Sequence, residues 1–207
     1  MSPMPDRMSD HWWWRPGVRP GRRLLVWHIL VDDQQDVHSI VRECQDKLAP
    51  LDGLDLIPAE WLHMTTQIIG FGDEIPQTEI DAMIEAAGKR LAELPPITVQ
   101  LGRLLFHPEV VMLGIDPPRA LDPVRAAVRD AVAETVTVHQ LDDWPEWTPH
   151  LSVAYSHDDG PAAPVIEALA ERPSPRPLVV RDVQLVAQLR TGRLYHWERL
   201  ATVPLGG

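Results

Sequence analysis

Two histidines stand two residues ahead of a hydroxyl, in His63-Met64-Thr65 and in His150-Leu151-Ser152. Histidine titrates nearest neutral pH, so two imidazoles facing each other can remove one proton and deliver another in a single reaction. Hydroxyls from Thr65 and Ser152 can donate to the non-bridging oxygens of a bound anion. With an imidazolium they would stabilise the charge of a five-coordinate phosphoryl transition state. Phosphodiester cleavage fits this set without a metal. The chain has nine histidines, and roughly 0.6 His-x-Ser/Thr matches would arise by chance, the usual false-positive load of a short motif. His11, His28, His38, His107, His139, His157 and His196 all lack Ser or Thr two residues on. What separates the two matches from coincidence is their position in the chain.

Both fall in segments that read as strands. Arg23 opens the run LLVWHILV to Val31, rich in β-branched and large apolar residues. Val37, Ile40, Val41, Cys44 and Leu48 then recur at helical spacing until Pro50 and Gly53. WLHMTTQII (61–69) is a second strand. Thr78 with Asp81 resembles a capping box ahead of a stripe of Ile80, Met83, Ile84, Ala87 and Leu91. ITVQLGRLLF (97–106) follows as a third strand. The cycle restarts with VVMLGI (110–115), a helix with Asp122 as N-cap and Pro123 as its first residue, the strand WTPHLSVAYS (147–156), and a short helix over 161–172. PLVVRDVQLVAQL and YHWERLATV close the chain as a hairpin around Thr191 and Gly192. Each histidine thus occupies the second strand of its half. Strict alternation puts Trp61, His63, Thr65 and Gln67 on one face, with Leu62, Met64, Thr66 and Ile68 on the core face. It likewise groups Thr148, His150 and Ser152 against Leu151, Val153 and Tyr155.

These residues carry a resemblance. His63-Met64-Thr65 and His150-Leu151-Ser152-Val153 resemble the paired His-x-Thr/Ser motifs of the 2H phosphoesterase superfamily, the bacterial 2'-5' RNA ligase and cyclic phosphodiesterase group. Most of the chain from about Arg23 onward follows that element order, although Thr66 stands where an apolar residue usually follows the motif. The resemblance implies an α+β, bilobal fold in which two pseudo-symmetric antiparallel sheets with flanking helices surround a central cleft. The resemblance covers a single domain over 23–207, while composition alone marks residues 1–22, with their arginines and three tryptophans, as a basic, Trp-rich arm. It further implies metal-independent chemistry on a nucleotide or RNA 3'-end bearing a cyclic phosphate, or on a 2'-5' phosphodiester, with 2'-5' ligation as the reverse in some members. His63 and His150 become the acid/base pair, and Thr65 and Ser152 the hydroxyls that hold phosphate. No cofactor and no metal are implied.

Composition bounds the alternatives. A net charge of −11 argues against a protein that coats duplex DNA by counterion release, while leaving a small anionic ligand or one RNA end open. The single Cys44 excludes an intramolecular disulfide. With no signal-peptide pattern and no stretch of roughly 20 apolar residues, a soluble, cytoplasmic monomer with no membrane partner is expected. The arm HWWWRPGVRPGRR has two readings: its rings could stack bases of single-stranded RNA, or fold back over a sheet face or lobe seam, which is the commoner use of Trp. His28 reads as a structural residue, and His139 with Asp142, Asp143 and Glu146 as a solvated acidic loop. Arg103, Arg190 and Arg193 are candidate phosphate clamps. A nucleotide-binding module without catalysis, or a metal hydrolase using His63 and His150 as ligands, would carry the same motifs.

Overall fold

The computed structural model describes residues 4–138 and 147–207, so His139, Asp142, Asp143 and Glu146 lie outside the described residues. The fold is α+β and rests on two antiparallel sheets. The first sheet runs, in spatial order, β11 (Leu194–Pro204), β10 (Asp182–Thr191), β2 (Leu24–Leu30) and β4 (His63–Phe71). The second runs β9 (Arg176–Val180), β5 (Ile97–His107), β6 (Val110–Asp116), β7 (His150–Ser156) and β3 (Leu54–Leu56). Apart from β3, the orders superimpose strand for strand: β2 corresponds to β6 and β4 to β7. The two histidine motifs therefore open equivalent strands, and β4 and β7 approach one another at the seam.

Among the described residues, four helices complete the layers: α1 (Gln35–Leu48), α2 (Gln77–Leu91), α3 (Asp122–Thr135) and α4 (Ala163–Ala168). The α1 stripe Val37, Ile40, Val41, Cys44 and Leu48 is wholly buried, as its spacing requires. α1 leaves the first sheet yet packs chiefly on β7 and β9 of the second, whereas α3 leaves the second sheet and packs on β4 of the first. This exchange merges the lobes. One continuous apolar core runs from Trp27 and Ile29 through α1 to Leu113, Leu151 and Leu178.

Several local readings change. PLVVRDVQLVAQL is two strands, because the chain crosses between sheets at Arg181: β9 pairs with β5, and β10 with β2. Thr78 lies inside α2, whose N-cap is Pro76. Asp122 is already helical, with Leu121 as the cap. The 161–172 helix shrinks to α4.

The segment preceding β2 is packed rather than free. Its β1 (Arg7–Met8) pairs with β8 (Gly160–Pro161) beside the second lobe. At its other end Arg22 bonds Asp73 and Glu74 and lies over the Phe71 ring on the first lobe. Between these anchors it spans the cleft. Gly17 allows the crossing: its φ is +79°, and a Cβ there would come within 2.5 Å of the Phe71 ring.

Candidate active site

β4 and β7 each carry one extra residue just after the motif. Across β2 and β4, His28 faces Thr65 and Trp27 faces Gln67, leaving Thr66 without a partner. Across β6 and β7, Met112 faces Ser152 and Val111 faces Ala154, leaving Val153 unpaired. Such bulges reverse the alternation and bend the strand. Their polar groups are satisfied by side chains. The Thr66 hydroxyl donates to the Trp27 carbonyl (2.9 Å), and Trp147 Nε1 donates to the Thr65 carbonyl (3.1 Å). Gln45 on α1 reaches the Val153 carbonyl at 3.0 Å. Thr66, the departure from the expected apolar position, is thus a core residue paired to its own bulge.

The reversal corrects three side-chain placements. Gln67, assigned to the face of His63 and Thr65, is buried outside the cleft lining. Ile68 and Tyr155, assigned to the core face by alternation, each lie three residues after a motif hydroxyl and line the cleft. Burial pushes the Tyr155 phenol well above the usual range, an effect that the nearby Ser152 hydroxyl opposes. For Ile68 the one trace in the sequence was the hydroxyl at Thr66; Val153, ahead of Tyr155, offered none.

His63, Thr65, His150 and Ser152 line one cleft of about 1190 Å³, open solvent included. The two rings are held in matching fashion. His63 Nδ1 is 2.9 Å from the Trp61 carbonyl oxygen, and His150 Nδ1 is 2.7 Å from that of Thr148, in both cases two residues back. A carbonyl only accepts, so Nδ1 carries the hydrogen in each and Nε2 is left for the cleft. His63 is 9% exposed, with His28 at 4.3 Å and Trp197 at 4.9 Å between ring centroids. Burial lowers its pKa to about 4, opposed by the Trp61 carbonyl and aided by the His150 charge. Burial lowers His150 too, against the Thr148 carbonyl.

The remaining candidates separate. His28 is buried and hydrogen-bonded to Gln188 at 3.1 Å behind His63, outside the cleft lining. Arg190 lines the cleft, Arg193 pairs with Asp55 at 3.2 Å, and Arg103 lies with Thr148 in a neighbouring groove. The arm folds back over the seam, the commoner of its two sequence readings, and brings His11, Trp13, Arg15 and Arg22 to the cleft wall. Among the described residues no group of three or more His, Cys, Asp or Glu is set to hold a metal ion, and no helix is long and apolar enough to cross a membrane.

Comparison with known proteins agrees with this architecture. TT0787 of Thermus thermophilus superimposes with a TM-score of 0.68 at 21% identity, covering 89% of this chain and 98% of that one. Escherichia coli LigT, solved with 3'-AMP, gives 0.66 at 18% identity over 90% and 99% of the two chains. The PDE domain of MHV ns2 gives 0.51 at 11% identity, over 89% and 99%. No curated protein sequence matches significantly. Residues 31–192, most of the chain and both motifs, match the 2'-5' RNA ligase superfamily, so the chain belongs to that superfamily of LigT-like 2H phosphoesterases.

Proposed function

We propose that this protein is a metal-independent phosphodiesterase that opens a 2',3'-cyclic phosphate, or cleaves a 2'-5' phosphodiester, in a nucleotide or at an RNA 3'-end. The observation that carries the reading is the matched pair of imidazoles, each tied at Nδ1 to a carbonyl two residues back and lining one cleft beside a hydroxyl. A neutral Nε2 accepts a proton, and a protonated Nε2 donates one. His63, the more deeply buried of the two and lowered to about 4, is the base, and the less buried His150 is the acid. His63 takes a proton from water as its oxygen bonds to phosphorus. The P–O3' bond breaks, and His150 protonates the departing O3', leaving a 2'-phosphate. Thr65 and Ser152 donate to the non-bridging oxygens, with Tyr155 orienting Ser152. Crystal structures of LigT with 3'-AMP, with NADP+ and with phosphate concern a protein of the same fold, and they favour a nucleotide in this cleft. The reading extends to a domain spanning 23–207.

Replacing His63 or His150 by Ala is expected to lower turnover of a nucleoside 2',3'-cyclic phosphate by about 10²- to 10⁴-fold each. Circular dichroism should stay unchanged, and a chelator should not affect the wild type. Full activity in the double His63→Ala/His150→Ala protein would reject the proposal. Binding of a nucleotide without any turnover would leave a binding module, and activity lost to chelation would indicate a metal hydrolase.

A further inference from the structure

The arm lies outside residues 31–192 that match the superfamily, yet it forms one wall of the cleft. Its three consecutive tryptophans have three different fates. Trp12 is 6% exposed and donates Nε1 to Asp55 at 2.8 Å, so it packs. Trp14 is half exposed beneath the Arg190 guanidinium, 4.1 Å from the ring centroid, and takes no part in lining the cleft. Trp13 is 49% exposed and lines the cleft with His63 and His150.

The Trp13 ring is fastened in that exposed position. Its Nε1 donates to Glu109 at 3.0 Å, while Arg15 bonds the other Glu109 oxygen at 2.9 Å and lies 4.8 Å from the Trp13 ring centroid. His11 bonds the same Glu109 oxygen at 3.1 Å. One carboxylate in the β5–β6 turn therefore orders three arm side chains. Folding gains little from holding an indole half in water, since its stabilising contribution comes from burial. A fixed, exposed π-face is instead what a planar heterocycle stacks upon. The cleft also presents Ile68, 44% exposed, together with Leu24 and Phe71, an apolar surface that a bare phosphate could not use. Arg190 donates to the Trp13 and Gly192 carbonyls at 3.2 and 3.0 Å, and to that of Trp12. Its guanidinium also lies over the Trp12 and Trp14 rings, so Arg190, a cleft-lining residue, ties the arm to the first sheet.

We propose that Trp13 is a nucleobase-stacking platform that makes the cleft prefer nucleotides over base-free cyclic phosphates, whichever base they carry. This rests on the phosphodiesterase reading of the same cleft. Every base has a π-face, so the wall recognises that a base is present and leaves its identity unread.

The test compares adenosine 2',3'-cyclic phosphate with methyl riboside 2',3'-cyclic phosphate, which share the reacting ester and differ by the base. Trp13→Ala should raise KM for the first about 5- to 150-fold and leave the second within about twofold, with kcat retained for both. Trp13→Phe should recover most of the loss, and Trp14→Ala should behave as wild type. An equal effect of Trp13→Ala on both esters, no effect on either, or an equal effect of Trp14→Ala overturns the proposal. Calorimetric titration with adenosine 2'-monophosphate and with inorganic phosphate tests it without turnover. Trp13→Ala should weaken the nucleotide alone. If neither ester is hydrolysed but nucleotide binding still depends on Trp13, the phosphodiesterase reading fails and the platform stands. Equal nucleotide affinity in wild type and Trp13→Ala removes the platform.

Discussion

A histidine whose Nδ1–H is committed to a carbonyl has one nitrogen left for chemistry, and its proton affinity is set by what surrounds that nitrogen. For His63 the surroundings are His28, Trp197 and the core, which hold it near 4; His150 is lowered from 6.5 as well. Both are therefore neutral in the free protein at pH 7. In the proposed mechanism, with His63 as base and His150 as acid, kcat/KM, which reports ionisations of the free protein, should peak on the acid side of pH 6.5. It should fall below about pH 4 as His63 gains a proton, and fall with rising pH as His150 loses the one it must donate. A bound anionic ester restores that proton, so the alkaline limb of kcat should lie higher. An alkaline limb of kcat/KM at or above pH 7 would contradict this account. The motif residues were legible because their types and spacing are local. Their proton affinities were not, since they depend on Trp197 and on burial contributed by strands far away in sequence.

The second strand of each half depends on its bulge. Without the extra residue at Thr66 or Val153, alternation would send Ile68 and Tyr155 into the core, and the cleft would lose the phenol that contacts Ser152. Thr66→Val keeps the shape but leaves the buried Trp27 carbonyl without its donor, which costs about 1–3 kcal/mol. The expected result is a Tm lower by several degrees, with hydrogen exchange accelerated on β2 and β4 in particular; an unchanged Tm would show that the bulge holds without this bond. Hydrophobic periodicity predicted α1 and the motif strands well, because a buried stripe such as Val37 to Leu48 has few alternatives. It could not reveal a single-residue insertion in a ladder, nor the crossing at Arg181, because each is decided by the partner strand. That the arm folds back was legible from its tryptophans, but its anchor was hidden: Glu109 lies some ninety residues downstream of the groups it holds.

At the scale of the molecule, the buried histidines in and behind the cleft also make folding sensitive to acid. Burial lowers His11 and His63 to about 4 and His28 well below 6.5. The unfolded chain takes up these protons near pH 6.5 while the folded one resists, so stability is full above that value and declines as pH falls toward 4. At pH 5 the loss is about 2 kcal/mol each for His11 and His63, with His28 adding in the same direction. Thermal scans should be flat above pH 7 and show Tm lower by about 5–15 °C at pH 5; a Tm that rises on acidification would refute this. The exchanged helices have a different effect. With α1 seated on the second sheet, α3 on the first, and apolar packing continuous beneath both, the halves cannot swing apart as jaws without unpacking the interior. The slot between them is accordingly of constant gauge, admitting guests by girth, and the strap from Met8 to Arg22, pinned at both ends, fixes its width on the open side as well.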